Sequence, residues 1–168
     1  LETASDIFRQ IREPRRREQT MGLLGELHHL QGRYAEAQAI QKETLDSARQ
    51  RGDNQFQFHE LAGFAVNAMR LENLAQASEF LDEARAYIGE NSDLVEEIRF
   101  YGLSAQIHLQ HGDMDTAKQS AGLAAERIAK VRPTAFYALE GYAGVSEVYL
   151  AELETGRTAK RSNRRGGQ

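Results

Sequence analysis

The sequence predicts an all-α fold: a helical-repeat solenoid of antiparallel helix pairs with a period of ~40 residues. Three observations predict it. Ala37, Ala77 and Ala117 stand at equal intervals of 40 residues, each closely following a turn-like segment such as Gly32-Arg33-Tyr34 or Gly112-Asp113-Met114. Other columns keep the same interval: Gly25, Ala65, Ala105 and Val145 form one, and Thr44, Ala84 and Ala124 form another that meets Ala4 one step back. The chain is also rich in Ala, Leu, Glu, Gln and Arg, with only 2 prolines in 168 residues, which leaves little material for a sheet.

Leu1 to Ile11 reads as the end of a helix, with Ala4, Ile7, Phe8 and Ile11 on one face. Pro14 predicts a break near Glu13, because the residue before a proline disfavours the helical region. The run Arg15-Arg16-Arg17 is expected at the start of the next helix as a solvated face. That helix passes through Met21, Leu24, Leu27 and Leu30 to Gly32, and the following one runs from Tyr34 through Ala37, Ile40, Leu45 and Ala48 to Gly52. Glycine suits a helix C-terminus because it takes the left-handed conformation without a Cβ clash. Asp53 or Asn54 is then placed to cap the next helix.

The second pair comprises a helix through Phe58, Leu61, Phe64, Ala65 and Ala68 and one through Leu74, Ala77, Leu81, Ala84 and Ile88. Its turn, Leu71-Glu72-Asn73, has no glycine, so Asn73 is expected to make the adaptation. Gly89 closes the pair, and Ser92 or Asp93 starts another helix. In the third pair, Leu94, Ile98, Tyr101, Ala105 and His108 face Met114, Ala117, Ala121, Ala124 and Ile128, and Pro133 stops the second helix. A last helix is expected from about Thr134 through Leu139, Tyr142, Val145 and Tyr149 to about Glu154. Its partner would need Arg157 in the alanine column, inside a basic stretch. The array is therefore read as residues 1–154, truncated at both ends and followed by a disordered basic tail, 155–168. A register already running at Leu1 fits a piece of a longer protein.

Composition excludes several classes. There is no cysteine, so no disulfide and no thiolate metal site, which fits the cytoplasmic location expected for the chain. No apolar run approaches the ~18–20 residues of a membrane span, and neither a membrane span nor a signal peptide is expected within these residues. Net charge is −4, and residues 155–168 hold five basic residues and no acid, which leaves −9 on the rest. An acidic body argues against nucleic-acid binding by the repeats, and only the basic tail retains that capacity.

Small residues at matching positions of paired helices let their axes approach to ~8–10 Å. Gly25, Ala65 and Ala105 on first helices meet Ala37, Ala77 and Ala117 on second helices, while Leu24, Phe64, Tyr34, Leu74 and Met114 fill the adjacent space. This pattern resembles the tetratricopeptide repeat, most closely at Met21, Leu24-Gly25, Gly32-Arg33-Tyr34 and Ala37. His28 takes the aromatic slot, Glu72 replaces the turn glycine and Ser104 replaces a leucine. The period exceeds the usual ~34 residues. HEAT-like repeats match that length better, but the glycine turn and alanine columns favour the tetratricopeptide pattern. The stretch Tyr137–Leu150 is also similar to repeats of large bacterial signal-transduction ATPases and cyclases. That likeness implies a regulatory segment whose catalytic domains lie outside this chain.

The resemblance implies that first helices line a concave surface. By register those positions are Glu26, His29, His59, Val66, Met69, Arg70, Arg99, Gln106, Tyr142 and Tyr149. Mixed apolar, aromatic and charged residues of both signs suit a protein or peptide partner, or another domain of the same polypeptide. Gly22 and Glu26 occupy positions where chaperone-tail clamps carry Lys and Asn, so an acidic chaperone tail is not the expected ligand.

No catalysis, cofactor or metal is expected. Neither a G-x-G-x-x-G loop nor a Walker pattern occurs, and Gly141-x-x-Gly144 reads as close helix packing. His59-Glu60 begins like a zinc-protease motif, but Gly63 stands where the second histidine belongs. His108 and His111 lie three apart, yet His28 and His108 are equivalent repeat positions and read as packed side chains. Asp82-Glu83 and Glu96-Glu97 diverge around their helices instead of converging.

Overall fold

The computed structural model describes residues 2–89, 92–132 and 136–165. Among these the regular structure is all-helical. Successive α-helices are α1 (Glu2–Gln10), α2 (Pro14–Leu30), α3 (Tyr34–Arg51), α4 (Asn54–Arg70), α5 (Leu74–Ala84), α6 (Leu94–Gln110), α7 (Met114–Ile128) and α8 (Leu139–Arg165). Single 3₁₀ turns follow α5 at Arg85–Tyr87 and precede α8 at Phe136–Ala138. The chain divides into two compact units, Leu1–Tyr87 and Ile88–Gln168.

In the first unit each helix packs on the next, from α1 through α5. Ala37, Ala48, Ala77 and Ala84 are completely buried, and so are Phe58, Leu61, Ala62, Ala65 and Ala68 of α4. Gly25 shows why its column is small: a Cβ there would sit 3.4 Å from the Ile40 side chain and 3.8 Å from the Ala37 carbonyl oxygen. Phe64 and Phe80 stack between α4 and α5, with ring centroids 4.9 Å apart. Burying a side chain the size of Phe58 or Leu61 contributes ~1.5–3 kcal/mol, so α4 is the unit's main apolar support.

The second unit packs α6, α7 and α8 against one another. Ala105, Ala117, Ala121, Ala124, Val145 and Val148 form its buried cluster, bordered by Tyr101, Leu109, Met114 and Ile128. The α6–α8 seam is built on glycines. A Cβ on Gly102 would lie 2.6 Å from the Gly141 carbonyl carbon, and one on Gly144 would lie 2.7 Å from the Gly102 carbonyl carbon. Gly141 meets the Ile98 backbone in the same way, at 2.7 Å. Close packing therefore accounts for the Gly141-x-x-Gly144 pair.

The turns between α2 and α3, α4 and α5, and α6 and α7 share one geometry, which recurs at Arg12 and at Gly52. The amides of Arg33, Asn73 and Asp113 donate to the carbonyls of His28, Ala68 and His108, each at 2.9 Å. The residue before each amide is left-handed: Gly32 at φ 74°, Glu72 at φ 58° and Gly112 at φ 80°. The expectation for Asn73 is corrected here. Asn73 keeps a negative φ and caps α5, its side chain accepting from the Gln76 amide, so the left-handed position falls on Glu72. A side chain at positive φ costs roughly 1–2 kcal/mol, and a glycine would relieve this at some expense in unfolded-state entropy. Glu72→Gly is expected to stabilise the first unit by about 0.5 kcal/mol, read as a small rise in the thermal midpoint. A lowered midpoint would show that the turn carries no such strain.

Capping accounts for other boundaries. Asp53 caps α4 by accepting from the Phe56 amide, and Asp93 forms a capping box with Glu96 at the start of α6. Asp113 caps α7, and its hydrogen bonds to Thr116 hold its carboxyl below the ordinary aspartate range. Arg12, at φ 57°, makes the break before Pro14.

Three further details differ from expectation. Arg17 is half-buried and pairs with Glu43, so only Arg15 and Arg16 of the arginine run are exposed. The second helix of the second pair ends at Ala84 and gives way to the 3₁₀ turn. The last helix does not stop near Glu154 but continues to Arg165, so the stretch expected to be a disordered tail is helical over 155–165. Gly156 costs ~1 kcal/mol in a helix, and the arginines, lysine and alanine around it propagate one well. Pro133, Thr134 and residues 166–168 lie outside the described residues.

Candidate binding faces

The first unit places Glu26 and His29 on α2, and His59, Val66, Met69 and Arg70 on α4. Glu26, His29, His59 and Met69 are half-buried and Arg70 is exposed, whereas Val66 is buried at 7%. Val66 is therefore a core residue and lines no open surface. His59 stands edge-on to Phe56 and Phe58, with ring centroids 6.5 and 5.8 Å away.

A polar chain that sequence reasoning missed runs behind this face. His29 Nδ1 meets Asn67 Oδ1, and Asn67 Nδ2 donates to Gln41 Oε1 at 2.7 Å. Asn67 is completely buried and Gln41 nearly so. With Asn67 Oδ1 accepting, Nδ1 of His29 carries the proton, and Nε2 is the acceptor in the neutral ring. The imidazole also packs against Tyr34, ring centroids 5.3 Å apart. Gly63 makes room for the chain, since a Cβ there would sit 3.2 Å from the Gln41 amide carbon. The available signal was a polar residue inside the apolar run Ala65-Val66-Asn67-Ala68. A buried amide must find partners.

The second unit uses two of its four candidates internally. Arg99 is 4% exposed, its Nε donates to Glu140 Oε2 at 2.8 Å, and its guanidinium lies 5.8 Å from the centre of the Tyr137 ring. Gln106 Nε2 donates to Glu147 Oε2 at 2.7 Å. Both interactions join α6 to α8 along the glycine seam, which explains why Arg99 lines no surface. Tyr142 is half-buried and its hydroxyl is enclosed, whereas Tyr149 is 42% exposed.

The histidines read as equivalents differ in setting. His28 is buried at 9%, while His108 is half-buried with Nδ1 3.7 Å from Asp113 Oδ2. Among the described residues no three His, Cys, Asp or Glu side chains are grouped to hold a metal, and no helix is long and apolar enough to cross a membrane.

The chain matches no protein-family model, no curated protein and no solved structure.

Proposed function

We propose that this chain is a protein–protein interaction scaffold, a tetratricopeptide-like array of antiparallel helix pairs that presents its first helices to a partner. The observation that carries the reading is a division of labour within helices α2 and α4. Their small residues Gly25, Ala65 and Ala68 are buried, which supports close helix pairing. The side chains left at the surface, His29, Met69 and Arg70, offer a hydrogen-bonding imidazole, a pliable thioether and a cation. Such a mixed strip suits a peptide or helix laid across several helices, because apolar contact supplies affinity and the polar groups set register. The polar chain behind His29 restrains its ring, so less side-chain entropy is lost on binding.

Met69→Ala/Arg70→Ala tests the reading, because both positions tolerate alanine in a helix and neither belongs to the fully buried core. Partners captured on the full chain would be titrated by calorimetry against parent and variant. The variant is expected to bind about 1 kcal/mol or more weaker, roughly fivefold, with unchanged helicity. A partner held equally by both proteins would remove this strip from the interface, and turnover of a nucleotide or metabolite by the pure chain would replace the scaffold reading.

A further inference from the structure

Helix α8 has two faces of opposite character. One is used within the second unit: Gly141 and Gly144 lie against the α6 backbone, and Val145 and Val148 are buried with the alanines of α7. The other is open. Leu139, Ala143, Ser146, Leu150 and Leu153 are exposed, the three leucines by more than half. At 3.6 residues per turn these five positions fall within an arc of about 80°. Tyr142 and Tyr149 border the stripe on one side, Glu147 and Glu154 on the other.

Helix α6 shows what such a face holds. Gly144 and Val148 turn to the helices that precede α8, as Gly63 and Asn67 of α4 turn to Gln41 of α3. From Gly63 to Gly144 is 81 positions, two periods of 40 plus one, so α8 corresponds to α6 at a spacing of 41. By that spacing Leu139, Tyr142, Ser146 and Leu150 stand where α6 has Ile98, Tyr101, Ala105 and Leu109. Ala105 is buried with Ala117, Ala121 and Ala124 of α7, and Tyr101 and Leu109 pack against that cluster. Ile98 is completely buried, whereas Leu139, Ser146 and Leu150 of α8 are uncovered.

We propose that the open face of α8 docks one amphipathic helix of a partner protein, with small residues at i, i+4 and i+7 on its contact side and a cation in its last turn. Helix α7 is the pattern for that occupant. Ala117, Ala121 and Ala124 have this spacing, and Arg127 donates to Glu97 Oε2 at 2.5 Å and lies 4.6 Å from the centre of the Tyr101 ring. Tyr142 repeats that tyrosine and offers its ring to a cation. Ser146 is small where Ala105 is small, so the two helix axes can approach closely. Glu147 and Glu154 add an acidic border that complements Lys or Arg on the partner and repels an anionic lipid surface. Residues 139–154 hold no Lys or Arg, so a second α8 brings this border no cation. The inference rests on the array of helix pairs proposed above, because it equates α8 with α6.

Fluorescence anisotropy of the full chain with a labelled synthetic peptide of the α7 sequence, residues 113–130, tests the proposal. The parent chain is expected to bind the peptide saturably. Leu139→Gln/Leu150→Gln is expected to bind about tenfold weaker, because apolar area is lost from the contact. Its melting should be unchanged, since both side chains are exposed in the free chain. Ser146→Phe adds apolar area and is nevertheless expected to bind about fivefold weaker, because a ring at the crossing holds the helices apart. Tighter binding by Ser146→Phe would reduce the face to an unspecific apolar patch and overturn the proposal. Absence of peptide binding by the parent would overturn it too, as would equal binding by the double-glutamine variant. A parent dimer in sedimentation that Leu150→Gln dissolves would give the face to a second copy instead. Met69→Ala/Arg70→Ala is expected to bind the peptide as the parent does, so the two surfaces fail or stand separately.

Discussion

Gly144→Ala is expected to destabilise the second unit by about 3 kcal/mol, although it adds a single methyl group. Overpacking ordinarily costs ~1–3 kcal/mol because neighbouring side chains move aside. Here the obstruction is backbone: the new Cβ would lie 2.7 Å from the Gly102 carbonyl carbon, and 3.3 Å from the Gly102 Cα. Neither can give way unless α6 and α8 separate, and separation stretches the Arg99–Glu140 and Gln106–Glu147 bonds that cross the same seam. Gly122→Ala is the internal control. Gly122 lies within α7, and a Cβ there meets nothing within 4 Å. Alanine at that position is expected to stabilise by about 0.5–1 kcal/mol through helix propensity. Urea unfolding of the two variants should move the midpoint in opposite directions. Equal midpoints for Gly144→Ala and the parent would mean that α6 and α8 do not approach through their glycines.

The features legible in the sequence are those that backbone geometry limits to one or two residue types. A close crossing admits only Gly or Ala, so Ala37, Ala77 and Ala117 announced themselves, and each is completely buried. Caps were legible to within one residue for a related reason: of Asp53 or Asn54 and of Ser92 or Asp93, the structure uses Asp53 and Asp93, which stand where a helix start needs a side-chain acceptor. Glu72 was misjudged because asparagine tolerates left-handed conformations better than glutamate. The hydrogen bond back to Ala68 sets the register of the turn, and Asn73 is occupied with capping α5. The polar chain His29–Asn67–Gln41 escaped because its members are 38 and 26 residues apart and obey no shared period. Of the candidate surface, register placed Met69 and Arg70 outside the buried core but could not show that Glu140 reaches Arg99. Such pairings depend on the angle between two helices, which a one-dimensional period does not encode.

The largest effect in the first unit is expected from a pair that no spacing announces. Glu18 on α2 is 1% exposed, and its two carboxylate oxygens accept from Arg51 of α3 at 2.7 and 2.5 Å. Arg51 also reaches Asp53 at 3.4 Å, which in turn lies 3.5 Å from Arg15, so the C-terminal end of α3 is tied to the start of α2. Arg51→Met would leave the Glu18 carboxylate buried without its counter-charge. Breaking a fully buried pair costs ~3–5 kcal/mol, and the 27% exposure of the arginine side chain admits enough water to lower this to about 2–3 kcal/mol. Glu18→Leu removes the buried charge, so combining it with Arg51→Met should restore most of the loss, because two apolar side chains need no ionic partner. The double-mutant cycle is therefore expected to give a coupling of about 2 kcal/mol between Glu18 and Arg51. Urea unfolding of the four proteins measures it directly. A coupling below about 0.5 kcal/mol, the level of an exposed ion pair, would show that water reaches Glu18 and that this pair does little to join α2 to α3.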